Sequence, residues 1–192
     1  MKKQLIVIGL STIIVLSGCG NDDASQESNS SQTNQEQTNH SDHSDHSGMN
    51  HSSSGEVPEG LKEAENPTFP VGSTAILETD HMEGMKGTEA EIVGAYDTTV
   101  YTVSYTPTTG GEKVTNHKWV IHEEVKEAGD TPFQPGDEVT LEADHMEGMK
   151  GAKATIDTAQ QATVYMVDYT PTTGGEKVTN HKWVTGDELS AK

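Results

Sequence analysis

The chain repeats itself at a constant spacing of 64 residues, and this duplication constrains its fold more than any other feature. Phe69 recurs as Phe133, and the later parts of the two copies follow at the same spacing without a gap. A period of this length exceeds those of most solenoid repeats and is typical of a duplicated small domain. We therefore expect one unit at residues 69–125 and a second at residues 133–189, joined by a short charged linker at residues 126–132.

Alternation of apolar and polar residues predicts that each unit is all-β. Tyr101, Val103 and Tyr105 share one face of a predicted strand, and this period of two, with aromatic and β-branched residues, is typical of strands. The predicted strands of the first unit lie at residues 73–79, 88–93, 100–105 and 118–121, each with a counterpart in the second unit. Four or five short strands in so few residues indicate a small closed barrel.

The spacing of glycines narrows the class of barrel. Gly72, Gly84 and Gly87 precede a predicted strand, as in the KOW-type barrels of the SH3-like class, where a glycine-marked loop joins the first two strands. We therefore predict two tandem small SH3-like (KOW-type) β-barrels, with a small β-sandwich as the alternative. Units this small bury little surface alone, which favours packing of one unit on the other.

The first nineteen residues predict export. Lys2 and Lys3 precede a short apolar run at residues 5–16, which is too short to cross a bilayer and is typical of a signal peptide. Residues 16–19, Leu-Ser-Gly-Cys, resemble a bacterial lipobox, which implies cleavage after residue 18 and attachment of diacylglyceryl to the Cys19 sulfur. Two or more acyl chains anchor a protein stably, so we expect a lipid-anchored protein on the extracellular face of the cell membrane. An uncleaved signal-anchor is the alternative.

The acidic balance of the chain argues against nucleic acid as a partner. The formal net charge is −19, and loss of the two lysines of the signal peptide takes it to −21. Such a surface repels phosphate backbones and anionic lipid headgroups, and it attracts cations. Because Cys19 is the only cysteine, a lipidated chain has no free thiol, and a soft-metal site would rely on methionine.

A polar tether is predicted between the anchor and the first unit. From Cys19 to residue 68 the chain is poor in large apolar residues, so it cannot bury enough surface to offset its ordering entropy and is expected to be disordered. Inside it lies a histidine-rich stretch of metal-binding composition. Its candidate ligands are His40, His43, His46, Met49 and His51. Copper in either oxidation state or zinc would suit this tail, and an incidental low-complexity spacer is the alternative.

Residues 80–87 and 144–151 share one sequence, Asp-His-Met-Glu-Gly-Met-Lys-Gly. Thioether sulfur is a soft donor suited to Cu(I), and the neighbouring imidazole would be a third ligand. The candidate ligands are His81, Met82 and Met85 in the first loop and His145, Met146 and Met149 in the second. Their charged neighbours favour sulfur atoms that point outward at a shared centre. The alternative is a tight loop in which Gly84 and Gly87 supply positive φ and the methionines fill gaps in the core.

A longer run of sixteen residues, 105–120, recurs in the second copy. If the fold brings this run beside the methionine loop, His117 and its counterpart His181 would be further ligands. Trp119 would then cover the ion by a cation–π contact. The alternatives are a surface histidine and a core tryptophan.

These motifs resemble one known family. The lipobox, the histidine-rich spacer and the paired strings His-Met-Glu-Gly-Met-Lys-Gly, Tyr-Thr-Pro-Thr-Thr-Gly-Gly-Glu and His-Lys-Trp-Val are similar to those of the YdhK-type lipoproteins. These are duplicated domains of unknown function in Gram-positive bacteria, and the resemblance covers nearly the whole chain. Some members are regarded as surface copper-binding lipoproteins associated with copper resistance, so the resemblance implies copper, Cu(I) above all, as the bound metal. The implied ligands are His81, Met82, Met85 and His117, with His145, Met146, Met149 and His181.

Two other classes of function remain as alternatives. A cell-wall-binding module would suit small SH3-like barrels, which often hold peptide or glycan. An enzyme is not expected, because the chain has no G-x-S-x-G or H-E-x-x-H motif and no cysteine–histidine pair that would supply a nucleophile. The expected partners are metal ions and the membrane, with the cell wall or a copper exporter as further candidates.

Overall fold

A computed structural model describes residues 51–192 of the chain, and this part is all-β, as predicted. The strands are β1 (Lys62–Glu63), β2 (Thr74–Leu77), β3 (Glu89–Tyr105), β4 (Val114–Ile121), β5 (Glu138–Thr140), β6 (Lys153–Tyr169), β7 (Val178–Thr185) and β8 (Leu189–Ala191). Two single-turn 3-10 helices follow β4 and β7, at His122–Glu124 and Gly186–Glu188. No helix between residues 51 and 192 has both the length and the apolar character needed to cross a bilayer.

All eight strands join one open antiparallel sheet. Its main path runs β5-β6-β3-β2-β8, while β1 and β4 also pair with β3 and β7 pairs with β6. The centre of the sheet is the pairing of β3 with β6, which extends from Ala90 opposite Tyr169 to Tyr105 opposite Ala154. One long strand from each repeat therefore lies against the other over nearly its whole length.

The length of β3 differs from the prediction. The sequence predicts two strands, at residues 88–93 and 100–105, whereas the structure has one strand through both. The intervening residues pair with β6, from Gly94 opposite Met166 to Thr99 opposite Gln161. Gly94 follows a register shift, and a Cβ there would lie 2.7 Å from the Tyr96 ring. A glycine at this position thus lets the aromatic ring cover the strand without ending it.

Because each long strand continues past its own repeat, the two hydrophobic cores are shared. The first core contains Ala75, Leu77, Met85, Ala90, Ile92 and Ala95 of the first repeat and Tyr165, Val167, Tyr169, Val178, Val184 and Leu189 of the second. The second core contains Tyr101, Val103, Tyr105, Val120 and Val125 of the first repeat and Val139, Leu141, Ala143, Met149, Ala152, Ala154 and Ile156 of the second. A third cluster contains Val100, Trp119, Ile121, Val164, Met166 and Trp183.

This arrangement differs from two tandem barrels with one core in each repeat. Residues 69–125 and 133–189 remain repeats of sequence, but each supplies about half of both cores. The physical reason is the uninterrupted β3 and its counterpart β6, which carry the chain from one core to the other. The SH3-like, KOW-type class assigned to each unit is not confirmed.

The predicted tether also extends too far. Residues 51–68 were expected to be disordered, but β1 pairs with β3, with Lys62 opposite Asp97. Ala64 packs against the first core, and Leu61 against the third cluster. Nearer its start, Ser53 donates its backbone N–H to Thr179 in β7 at 3.0 Å. A few apolar residues and serine hydroxyls thus fix a stretch whose composition alone predicts disorder.

Candidate functional site

The two methionine loops are tight turns that each connect a short strand to a long one. In the first loop Gly84 and Gly87 have φ of 75° and 78°, values that suit glycine. The N–H of Met85 bonds the carbonyl of Met82 at 3.1 Å, and the N–H of Gly87 bonds Leu77 at 2.7 Å. This turn directs the Met85 side chain into the first core, where it is fully buried.

The expectation that both sulfur atoms of each loop point outward is therefore wrong for Met85 and its counterpart Met149. Each has no exposed surface and belongs to a core. Met82 and Met146 are only partly buried and pack at the edges of the same cores. The positive-φ glycine between the two methionines turns the chain, so one thioether of each loop fills the core and the other lies near the surface.

Each methionine loop is held by the threonine-rich loop of the other repeat. The carbonyl of Gly84 accepts a bond from the N–H of Thr172 at 2.8 Å, and the carbonyl of Gly148 accepts one from Thr108 at 2.8 Å. A Cβ on Gly84 would lie 2.6 Å from the Thr173 hydroxyl. The two strings that the copies share therefore contact each other across the repeats.

Beside the first loop lies the first centre, a hydrogen-bonded network of His81, Glu188 and Trp119. The Nε2 of His81 lies 2.7 Å from Oε1 of Glu188, and the indole Nε1 of Trp119 donates to Oε2 at 2.7 Å. The backbone N–H of Thr185 also donates to Oε2, at 3.1 Å. Lys118 is farther away, with its Nζ 3.5 Å from Oε1. The histidine and the tryptophan belong to the first repeat, and the carboxylate belongs to the second.

The second centre repeats this geometry with the roles of the repeats exchanged. The Nε2 of His145 lies 2.8 Å from Oε1 of Glu124, and the Nε1 of Trp183 donates to Oε2 at 3.0 Å. Here the backbone N–H of Ile121 donates to Oε2 at 3.3 Å. Both carboxylates end a 3-10 helix, and the turn folds each side chain back under its strand. Both are buried, and each accepts bonds on both oxygens.

Electrostatics keep Glu188 ionised. Burial by itself raises the pKa of this carboxyl, but the hydrogen bond and positive charge of His81, with the bonds from Trp119 and Thr185, lower the pKa to about 2. A buried carboxylate with this many donors is a fixed negative charge at any physiological pH. It therefore holds the His81 ring in one orientation.

Each centre has a second histidine close by. The ring centroids of His117 and His145 are 6.3 Å apart, and His117 meets the Tyr105 ring edge-on at 5.9 Å. The hydroxyl of Tyr105 lies 4.0 Å from the sulfur of Met146. The second centre thus gathers two imidazoles and one thioether around a tyrosine. In the other half, His181 meets Tyr169 edge-on at 5.8 Å.

The grouping of the predicted ligands by repeat is therefore corrected. His117 was expected beside the methionine loop of its own repeat, but it lies beside His145 of the other. Trp119 and Trp183 are core residues whose indoles donate to carboxylates, which agrees with the alternative to a cation–π cap. Within residues 51–192, no three His, Cys, Asp or Glu side chains are arranged to hold a metal ion.

The sequence-based prediction of the site missed Glu124 and Glu188. Their signal was present, because both carboxylates occur at the 64-residue spacing in segments where neighbouring residues differ. Of the predicted tail ligands, His51 lies near His181, and its charge lowers the pKa of that residue. His40, His43, His46, Met49 and the lipidation residue Cys19 lie outside the described residues.

We expect the metal-free protein to lose stability in mild acid because of His181. Burial, followed by the positive charges of His81, His145 and His51, lowers the pKa of His181 to about 3. In the unfolded chain the same imidazole takes a proton below about pH 6.5. The unfolded state therefore binds more protons between pH 6.5 and pH 3, so the free energy of unfolding falls as the pH falls through that window.

From pH 6.5 to pH 5 this histidine alone should cost roughly 2 kcal/mol, at about 1.4 kcal/mol for each pH unit. Urea unfolding at a series of pH values measures the effect. The His181→Gln variant should show a shallower dependence on pH over this window. Equal slopes for the two proteins would contradict the assignment.

Comparisons with known proteins agree with the duplicated fold. A family model described as "Protein of unknown function (DUF1541)" matches residues 71–122 and 135–186. The chain is 60% identical over 191 residues to the Bacillus subtilis (strain 168) protein named "Uncharacterized protein YdhK". The alignment covers 100% of this chain and 90% of that relative.

Two solved structures of the Bacillus subtilis protein are similar as well. The crystal structure of a DUF1541 family protein (ydhK) superposes with a TM-score of 0.73 at 67% identity, over 77% of this chain and 100% of that one. The solution structure of the ydhK C-terminal domain gives a TM-score of 0.62 at 68% identity, over 65% of this chain and 94% of that one.

Proposed function

The chain belongs to the DUF1541 family, and from the geometry of its two centres we propose that it is a cell-surface lipoprotein that binds Cu(I) and limits its entry into the cell. The observation that carries the proposal is the second centre, where His117 and His145 lie with ring centroids 6.3 Å apart beside the thioether of Met146. In the first centre His181 meets Tyr169 as His117 meets Tyr105, and His81 and Met82 are the counterparts of His145 and Met146 in the sequence.

The donor set suits a soft ion. Imidazole nitrogen and thioether sulfur are ligands for Cu(I), whereas Mg²⁺ and Ca²⁺ prefer oxygen. A metal-bound imidazole nitrogen lies about 2 Å from the ion, so two rings at this separation leave room for an ion between them. We assign the third donor to the sulfur of Met146, since within residues 51–192 no third His, Cys, Asp or Glu joins the pair.

The buried carboxylates support the same conclusion. Metal-binding histidines usually donate one ring N–H to a carboxylate or carbonyl, which fixes the ring and makes the other nitrogen a better ligand. Glu124 is hydrogen-bonded to Nε2 of His145, and Glu188 is hydrogen-bonded to Nε2 of His81. With Nε2 bonded to a carboxylate, Nδ1 is the nitrogen that would take the metal. The metal would thus be bound by ring nitrogen, a ligand that Cu(I) accepts, whereas the carboxylate oxygens only orient the rings.

The wider role combines these centres with the predicted anchor and tail. A lipid at Cys19 would keep the chain at the membrane, and the tail histidines would add weaker sites for copper or zinc. Several sites on one anchored chain raise the local probability of capture. An acidic chain attracts cations to such a surface. The proposal therefore assigns the protein to metal buffering and assigns it no catalytic step.

A Cu(I) titration against a competing chelator would test the proposal through a contrast between the two kinds of methionine. The chain from Asn21 is used with His40, His43 and His46 changed to Gln, so that the folded centres dominate. The double variant Met82→Leu, Met146→Leu should bind Cu(I) at least about tenfold more weakly. Loss of a residue that merely orients a metal ligand already weakens metal binding by about this factor.

The matched control is the double variant Met85→Leu, Met149→Leu. These buried thioethers fill the cores, and Leu conserves their volume, so Cu(I) affinity should stay at the wild-type value. Wild-type affinity in both double variants would refute metal binding by the surface thioethers. Equal losses in both would mean that the changes act through the fold.

A further inference from the structure

Strands β4 and β7 share one sequence but not one environment. Residues 114–120 and 178–184 both read Val-Thr-Asn-His-Lys-Trp-Val. Their registers also agree, because Val114 lies opposite Tyr105 as Val178 lies opposite Tyr169. The backbone groups that point away from the partner strand are therefore equivalent in the two strands.

The outer edge of β7 is covered by a short segment, Ser52–Glu56, which lies before the first repeat. Thr179 donates its N–H to the Ser52 hydroxyl at 2.9 Å and accepts the N–H of Ser53 at 3.0 Å. Asn180 is bonded at both its backbone and its side chain. Its carbonyl accepts the Ser53 hydroxyl at 2.7 Å, and its Nδ2 donates to the Ser53 carbonyl at 3.2 Å. Lys182 bonds the carbonyl of Glu56.

A glycine is required in this covering segment. Gly55 has a φ of 80°, and a Cβ there would lie 3.1 Å from the side chain of Asn180. Any other residue would be strained at this φ, and the asparagine would have to shift by a few tenths of an ångström to admit its Cβ. The β7 edge thus holds a peptide with the pattern Ser-Ser-x-Gly by one main-chain hydrogen bond, two hydroxyls and one close glycine.

The same edge of β4 is exposed. Thr115, Asn116 and Lys118 are exposed where Thr179, Asn180 and Lys182 are partly covered, and His117 is half-buried where His181 is buried. Among the described residues β4 pairs with β3 alone. An edge of identical sequence and register is therefore presented at the surface in one half and covered in the other.

We propose that the outer edge of β4, at residues 114–118, binds a segment of a partner protein that carries the Ser-Ser-x-Gly pattern. The chemistry of the partner is that of Ser52–Glu56, because the identical strand already holds that segment. Within the whole sequence this pattern occurs once, at residues 52–55. A second copy of the chain is disfavoured as the source, since its own segment is tethered to its own β7 at high effective concentration.

An NMR titration of the chain from Asn21 with the synthetic peptide His-Ser-Ser-Ser-Gly-Glu would test this proposal. We expect saturable shifts of the amide signals of Thr115 and Asn116, and smaller shifts at the covered β7 edge. A peptide with Val in place of Gly should bind at least roughly tenfold more weakly, because its Cβ would meet the asparagine. The variant Asn116→Gly removes the side chain without strain at a φ of 51°, and peptide affinity should fall roughly three- to tenfold.

The control variant is Glu112→Gln, an exposed change in the loop before β4, which should leave peptide binding at β4 unchanged. Unmoved β4 signals at millimolar peptide, or shifts confined to the β7 edge, would overturn the proposal. Shifts of Thr115 and Asn116 on raising the concentration of the chain alone would show a second copy as the occupant and would also overturn it. None of these outcomes depends on copper, so the proposal and the metal function fail independently.

Discussion

A chain reduced to its first repeat and the linker, residues 69–132, is expected to be unfolded as a monomer and to fold only as a two-fold dimer. In the full chain each core takes about half of its residues from each repeat. A lone repeat can complete a core only with a second molecule, whose long strand would replace β6 opposite β3. Because the repeats are similar in sequence, the replacement is chemically close to the original pairing.

Circular dichroism and light scattering over a range of protein concentrations measure this. The single repeat should lose its strand signal on dilution, and its Tm should rise with protein concentration, as mass action requires. The matched control is the chain from Asn21 with both repeats, whose Tm should not depend on concentration. A single repeat that stays folded and monomeric on dilution would show that folding does not require the pairing of β3 with β6 or the sharing of cores between repeats.

Loss of the Glu188 carboxylate is expected to lower the free energy of unfolding by roughly 3–5 kcal/mol in the Glu188→Ala variant. Removing a buried carboxylate that accepts several hydrogen bonds costs this much because its partners remain buried without an acceptor. Here the partners are His81, the Trp119 indole and the backbone N–H of Thr185. Each would have to find water or stay unsatisfied.

Urea unfolding of the metal-free protein measures the loss, and two further variants interpret it. Glu124→Ala removes the equivalent carboxylate of the second centre and should cost a similar amount. Glu83→Ala removes an exposed carboxylate from the methionine loop and should change stability by less than about 0.5 kcal/mol. If Glu188→Ala lowered the free energy of unfolding by less than about 1 kcal/mol, water would be satisfying the donors that the carboxylate leaves, and the prediction would be wrong.

The duplication, the all-β class and most strand positions could be predicted because they depend on local periodicity. The alternation of Tyr101, Val103 and Tyr105 marks a strand face whatever that face packs against. The sharing of each core between the two repeats could not be predicted in this way. It depends on whether residues 94–99 form a turn or continue the strand, and their sequence contains turn formers and strand formers together. Pairing with β6 decides the matter, and that contact is distant in sequence.

The candidate site was only partly accessible to sequence for the same reason. The spacing of Met82 and Met85 allows two convergent thioethers, but the turn at Gly84 separates them into one surface and one core side chain. The pairing of His81 with Glu188 links residues 107 positions apart. Local sequence patterns can suggest which residue types act as ligands. The carboxylates that orient those ligands come from the other repeat, so only the tertiary fold identifies them.

The hybrid composition of the two centres also bears on how such a gene can change. Since His81 of one copy meets Glu188 of the other, and His145 meets Glu124, a substitution in either copy alters a centre that the sibling copy needs. Neither half can drift toward a separate task or be deleted while the remaining half keeps a complete set of groups. The duplication is in effect irreversible, and its two halves must evolve as one.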